Sequence, residues 1–252
     1  MLQNRHVLIT GASSGIGEHL ARSAVAAGAR VTLAARRLDR LAALSEDLVA
    51  GGGEAQAVAM DTADEASVVA AFALAESRFG PIDTVYANAG ISVGGFSLDM
   101  DVADFDNIFA VNVRGAFLTA RQAARSMIAA GSAEREHGRI VLVASVGAQI
   151  TLAGLTAYCA SKAAVVALGR NLAREWARDG INVNVVCPGY VETEMTQDWF
   201  ASPAGERQRQ RFVRKRLMAE GGLDPMFLLL GSDAARAMTG GVHVVDDGQS
   251  LS

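Results

Sequence analysis

Seven short runs of β-branched and other apolar residues recur along the chain, each parted from the next by a stretch long enough for a helix. They fall at 6–10, 30–34, 54–60, 84–87, 139–145, 182–186 and 241–245. Runs that are apolar throughout, rather than alternating, suit strands covered on both faces, and strands separated by helices pair in parallel. Alanine-rich stretches at 16–27, 64–79, 101–130 and 156–178 have helical spacing, and the chain meets a glycine, a usual helix terminus, at Gly28 and Gly180. No repeat, linker or charge block marks a boundary. The pattern predicts one α/β domain over 1–252, a doubly wound parallel sheet of about seven strands with helices on both faces. At 252 residues, half of them hydrophobic, the chain can bury such a core.

A net charge of −4 gives no reason to expect nucleic acid or an anionic membrane as partner. Two cysteines, Cys159 and Cys187, make no disulfide framework and suggest a reducing cytoplasm. The start "MLQNRHVLIT" has no apolar signal core, and no window approaches the roughly 20 apolar residues that span a bilayer. The expectation is a cytoplasmic protein. His6, His19, His137 and His243 are dispersed, without ligand spacing to acids or cysteines, so no metal is expected and each reads as a structural, surface residue.

The first apolar run leads into "TGASSGIG", with glycines at 11, 15 and 17 before a helical stretch. A plain strand-to-helix turn needs one glycine at most. Three indicate a backbone that must come close to something, and the N–H groups and dipole of a helix start favour an anion. The spacing is G-x-x-x-G-x-G, and taken alone it fits a tight, well-packed turn equally well.

Tyr158 and Lys162 stand four apart in a helical stretch, hence on one face and a turn apart. An ammonium beside a phenol favours the phenolate and lowers its pKa toward neutrality, which suits proton exchange. Ser145 ends a predicted strand, where ligands of open α/β sheets bind. Asn112 sits in the otherwise apolar "FAVNVRGAF" and must find hydrogen bonds. A half-buried tyrosine, a solvated lysine and a helix-bend asparagine are the bland alternatives.

Together with "DTAD" (61–64), "NAG" (88–90), "VNVRG" (111–115), "CPGYVET" (187–193) and "MTGGVHVVDDG" (238–248), these stretches resemble the short-chain dehydrogenase/reductase family in its short, single-domain form. The likeness spans essentially the whole chain and implies a Rossmann-like fold and hydride transfer between a nicotinamide dinucleotide and a carbonyl carbon. By resemblance Tyr158 is the general acid/base, and Lys162 tunes it and hydrogen-bonds the nicotinamide ribose. Ser145 holds the substrate oxygen, and Asn112 holds a water that links the lysine to solvent. Gly11, Ser13, Gly15, Ile16 and Gly17 would cradle the dinucleotide, with Asp61 and Thr62 at the adenine and Asn88, Ala89 and Gly90 along the ribose and phosphates. Pro188, Gly189, Val191 and Thr193 would hold the nicotinamide carboxamide. The sequence departs from the family at Ala87, where a further asparagine is usual, and at Thr62, usually apolar. The family commonly forms homotetramers, which is the expectation here.

The second strand runs "RVTLAARR". An NAD enzyme of this architecture ends that strand with an acid that holds the ribose hydroxyls. Here the position is Ala35, followed by Arg36 and Arg37, and a guanidinium can grip a 2′-phosphate bidentately. NADP(H) is therefore the expected cofactor, although the basic residue that some NADP-using relatives carry in the glycine loop is replaced by Ser14. By resemblance, residues at about 194–222 form a substrate lid, with Met195, Trp199, Phe200, Phe212 and Met218 as its large apolar side chains. Its basic run Arg207, Arg209, Arg211, Arg214, Lys215 and Arg216 is either a solvated face or a contact for an acidic carrier or coenzyme A phosphates. The segment 146–157 carries no charge and predicts a small, neutral, apolar carbonyl or alcohol as substrate. The leading expectation is an NADP-dependent ketone or aldehyde reductase, working in reverse as a secondary-alcohol dehydrogenase. A 3-oxoacyl-thioester reductase is the alternative, and a non-catalytic dinucleotide-sensing or scaffolding protein the alternative of another class.

Overall fold

The structure, a computed structural model, describes residues 1–251, with the backbone alone at Met195. Its seven strands are β1 (His6–Thr10), β2 (Arg30–Ala35), β3 (Glu54–Ala59), β4 (Thr84–Ala87), β5 (Gly138–Val143), β6 (Ile181–Pro188) and β7 (Val242–Val245). They form one sheet in the order β3-β2-β1-β4-β5-β6-β7, with every neighbouring pair parallel. The order reverses between β1 and β4, and the crevice at such a switch point, outside the C-terminal strand ends, is where ligands of these folds bind.

Each face of the sheet carries a helical layer and its own core. On one side α1 (Gly15–Ala26) and α2 (Leu38–Ala50) bury Leu20, Ala24, Leu41 and Leu44 against Val7, Ile9, Val31 and Leu33. On the other, α3 (Glu65–Phe79), α5 (Gly115–Ala129) and α7 (Thr156–Trp176) cover Leu8, Val85, Ile140, Leu142 and Val185. Successive strand residues point to opposite faces, so the apolar runs of β1 and β5 feed both cores at once.

The 101–130 stretch is divided. The helix α4 (Val102–Phe109) passes through a π-turn at Ala110–Arg114 before α5 begins. One extra residue per turn at that point lets the chain swing Asn112 inward, where it is buried. The 194–222 segment contains α8 (Glu194–Ala201) and α9 (Pro203–Arg211) and returns to the fold through a bridge between Val191 and Met218. The side chain of Met195, placed in the lid from sequence, lies outside the described residues. Among the described residues no helix is long and apolar enough to cross a membrane, and no group of three or more His, Cys, Asp or Glu could hold a metal.

Two readings need correction. His6 is fully buried rather than superficial, with ring nitrogens 2.8 Å from the Gly80 carbonyl and 2.8 Å from Thr32 Oγ1. The fifth strand ends at Val143, so Ser145 lies just beyond it and caps a short turn over Val146–Ala148, its Oγ accepting from the Gly147 N–H at 3.1 Å.

Candidate active site

A cleft of about 350 Å³ opens at the C-terminal ends of β1, β2, β4 and β5. One end is bounded by Ser13, Ser14, Arg36 and Arg37, the other by Ser145, Tyr158, Lys162 and Pro188. Gly15, Ile16, Asp61, Thr62 and the 88–90 stretch line its length, and Thr193 closes the side opposite the glycine loop. Of the residues singled out from sequence, Gly17, Asn112, Gly189 and Val191 do not face this cleft; their roles lie behind its walls.

The glycine loop shows why. A Cβ on Gly17 would lie 2.3 Å from the Gly11 carbonyl oxygen and 2.6 Å from Asn88 Nδ2, and one on Gly11 2.9 Å from Ala89 Cα. Both glycines are required by protein-to-protein packing, the helix on the loop and the loop on the end of β4. Only Gly15, at φ +54°, turns its open side to the cleft, where an added Cβ would meet Thr193 at 3.4 Å. Asn88 is likewise a brace. Its Nδ2 donates to the Thr10 carbonyl at 3.0 Å, while the N–H groups of Asn88 and Ala89 both donate to Thr10 Oγ1 at 3.0 Å. Thr10, the last residue of β1, was not singled out, because nothing local marks a threonine as the clamp between two loops 78 residues apart. Gly189 packs on the C-terminal turn, where a Cβ would lie 2.7 Å from Asp246 Cβ.

Lys162 is buried on α7 and donates to the Val143 carbonyl at 2.9 Å. Burial pulls its ammonium down to about 8. Its Nζ lies 5.7 Å from the centroid of the Tyr158 ring, so it lies over the ring, not in line with the hydroxyl. Burial pushes the Tyr158 phenol above its ordinary value, and the Ser145 hydroxyl, as hydrogen-bond partner, pulls the other way. Desolvation outweighs that hydrogen bond, so in this structure the phenol stands above its ordinary value rather than below it. Asn112 Oδ1 accepts from the Ile91 N–H at 2.8 Å, and its Nδ2 donates to the Ile91 carbonyl at 3.0 Å and to Ser161 Oγ at 2.9 Å. Ser161 in turn donates to the Tyr158 carbonyl at 2.7 Å. The asparagine thus ties the loop after β4 to the helix that carries Tyr158 and Lys162. A Cβ on Gly90 would lie 3.1 Å from Lys162 Nζ and 3.3 Å from Asn112 Oδ1, so a larger residue there would crowd both side chains.

These features fit a dinucleotide. No side chain caps the start of α1, which leaves its first N–H groups for an anion. Lys162 brings a three-donor ammonium to the other end, with one acceptor among the described residues. Arg37 donates to Ser13 Oγ at 2.9 Å and to Ser14 Oγ at 2.7 Å, which fixes it against the glycine loop. The exposed Arg36 guanidinium has no partner among the described residues.

A family profile described as short chain dehydrogenase matches residues 5–204. The chain is 36% identical to Oxidoreductase UcpA of Salmonella typhimurium, covering 99% of this chain and 96% of that one. It is 32% identical to D-threitol dehydrogenase of Mycolicibacterium smegmatis, over 99% and 94%. Among solved structures it resembles a gluconate 5-dehydrogenase of Burkholderia cenocepacia in complex with NADP and tartrate, at 32% identity and a TM-score of 0.93, covering 100% of this chain and 97% of that one. A parallel sheet switched between β1 and β4, a glycine-turned helix start and a lysine buried beside a tyrosine thus occur in a sequence that a short chain dehydrogenase profile matches and whose relatives are named as oxidoreductases and dehydrogenases: the chain belongs to the short-chain dehydrogenase/reductase family.

Proposed function

We propose that this oxidoreductase uses NADP(H) to reduce ketones or aldehydes and, in reverse, oxidises secondary alcohols. The observation that carries the proposal is the single cleft that has Ser145, Tyr158 and Lys162 at one end and Arg36 and Arg37 at the other. When bound, the nicotinamide supplies or accepts the hydride. Ser145 orients the substrate oxygen by hydrogen bonding, and Tyr158 gives that oxygen its proton in reduction and removes it in oxidation. Lys162 holds the cofactor ribose and keeps a positive charge beside the phenol, while Asn112 holds α7 in register with the loop after β4 and positions the water of the proton relay. Arg36 takes the 2′-phosphate, and Arg37 lines the same end from its fixed place on Ser13 and Ser14. Val191 and Gly189 shape the loop that presents Pro188 and Thr193 to the nicotinamide. NADP in the related gluconate 5-dehydrogenase structure is consistent with this choice of cofactor.

Residues 194–222 act as the substrate lid of a single catalytic domain. Phe200 and Phe212 are buried around Tyr190, with ring centroids 5.2 and 5.7 Å from it, and give the lid an apolar underside. With the uncharged segment 146–157, this favours a neutral substrate; a neutral polyol, as the name of the M. smegmatis relative indicates for that protein, also meets an uncharged wall. The thioester reading is weaker, because its basic patch is partly spent: Arg209 pairs with Glu206, and Arg214 and Arg216 pair with Asp247 at 3.1 and 2.7 Å.

The test combines two variants. Tyr158→Phe should lower turnover of a ketone by about 10²–10⁴ while NADPH affinity stays nearly constant. Arg36→Ala should weaken NADPH by about ten- to a hundredfold and leave NADH unchanged. Near-normal turnover in the first, or equal loss of both cofactors in the second, would overturn the proposal.

A further inference from the structure

An acid of the lid segment shares the cleft with the arginines. Glu194, the first residue of α8, lines the same cleft as Arg36 and Arg37 and directly follows Thr193, which stands against Gly15. A carboxylate there would repel a 2′-phosphate and oppose what Arg36 and Arg37 provide. It is not left bare. Arg40, in the first turn of α2, points its Nη1 at Glu194, 3.2 Å from Oε2 and 3.4 Å from Oε1. The two residues are 154 positions apart, and the pair ties the start of α2, just after the cleft-lining Arg36 and Arg37, to the lid helix α8. Two hydrogen bonds thus bracket this end of the cleft, Arg37 to Ser14 on the glycine loop and Arg40, three residues further on, to Glu194 on the lid helix.

We infer that Arg40 and Glu194 form an electrostatic clasp that sets how strongly the enzyme prefers NADP(H). Arg40 acts on Glu194, not on the phosphate. Paired, the carboxylate no longer repels the 2′-phosphate, and the lid helix is drawn toward the adenosine end. Unpaired, Glu194 is a net negative charge facing the phosphate and discriminates against NADP(H) without touching NAD(H), which has no charge at that position. Arg40 is thereby a positioning and specificity residue distinct from the phosphate-binding Arg36. The inference rests on the proposed use of NADP(H).

The distinction is readable in a double-mutant cycle of binding constants, measured with NADPH and NADH by the fluorescence of each reduced cofactor on the intact protein. Arg40→Met keeps most of the side-chain stem and should weaken NADPH about two- to fivefold, the range of a partly exposed charge pair, with NADH unchanged. Glu194→Gln should leave NADPH as tight as in the parent or tighter. Arg40→Met combined with Glu194→Gln should restore the parent affinity. The loss in Arg40→Met should shrink at high salt, as exposed charges at this separation are screened. If the double variant stays as weak as Arg40→Met, the arginine binds the phosphate directly and the clasp is wrong. No change in NADPH affinity in Arg40→Met overturns it equally. A parent protein that binds NADH as tightly as NADPH would instead defeat the cofactor assignment, so the two failures are separable.

Discussion

A lysine amine enclosed by protein is costly to the fold, and the proposed function gives that cost a use. Burial holds Lys162 at about 8 against an ordinary 10.5, so between those values the unfolded chain binds more protons than the folded one. Stability therefore rises with pH across that window, and the full penalty is present below about 8. A shift of this size corresponds to a penalty on the order of 3 kcal/mol at pH 7. Lys162→Met, of similar volume and uncharged, should stabilise the cofactor-free protein at pH 7, and the gain should fade as pH approaches 10.5. Urea unfolding at pH 7, 9 and 10.5 reads it; a gain that does not change with pH would mean that packing, not charge, is responsible. The same variant should bind cofactor poorly, because the ribose loses its donor.

At the scale of elements, the strand-to-helix turn after β1 separates two jobs that its three glycines share in the sequence. Gly17→Ala sets a methyl 2.3 Å from a backbone carbonyl that cannot step aside, and should destabilise the protein by about 1–3 kcal/mol. Gly15→Ala meets only Thr193 at 3.4 Å but adds strain at φ +54° and a methyl on the cleft wall. It should fold better than Gly17→Ala and yet bind NADPH worse. Melting temperatures and NADPH titrations of the two variants check this, and a reversed order in either would refute the division. The sequence shows the cluster of glycines but not this split, which depends on how β4 and Asn88 lie behind the loop. Strands were legible because β-branched apolar runs leave few other solutions, whereas the π-turn at Ala110–Arg114 was hidden inside an uninterrupted helical period. The triad of Ser145, Tyr158 and Lys162 could be placed together from spacing and resemblance. The direction of the Tyr158 shift could not, since it is set by burial, which residue spacing does not report.

Across the whole molecule the two ends of the sheet are built oppositely. The C-terminal strand ends open into the cleft, while the N-terminal ends are closed by a cluster of charges that no sequence window contains. Arg5 and Arg139, just before β1 and within β5, are 3% and 1% exposed. Asp233 gathers them from 228 and 94 residues away: its Oδ1 accepts from Arg5 Nη1 at 2.8 Å, lies 2.9 Å from His137 Nδ1 and stands 3.4 Å from Arg139 Nη2. Arg5 also donates through Nε to Thr84 Oγ1 at 2.9 Å, and Arg139 through Nε to the Ser232 carbonyl at 3.0 Å. Their remaining acceptors are backbone carbonyls and the His137 ring, with the Asp83 and Glu136 carboxylates acting only from nearby, so Asp233 is a principal counter-charge for two buried cations. Although partial burial works against ionisation, Arg5, His137 and Arg139 hold the Asp233 carboxyl below its ordinary value. A carboxylate depressed in the folded state adds stability above its unfolded pKa and loses it as pH falls through the folded one. Asp233→Ala should therefore destabilise the protein by about 1–3 kcal/mol at pH 7, the cost of leaving buried charged donors short of an acceptor. The difference from the parent should narrow as pH drops below 4. NADPH affinity and turnover at a temperature where both proteins are folded should be unchanged, since the cluster lies at the opposite end of the strands from Arg36 and Tyr158. Equal stability at pH 7 would show that the arginines are satisfied without Asp233, and a loss of cofactor binding in the folded variant would show that the two ends of the sheet are coupled.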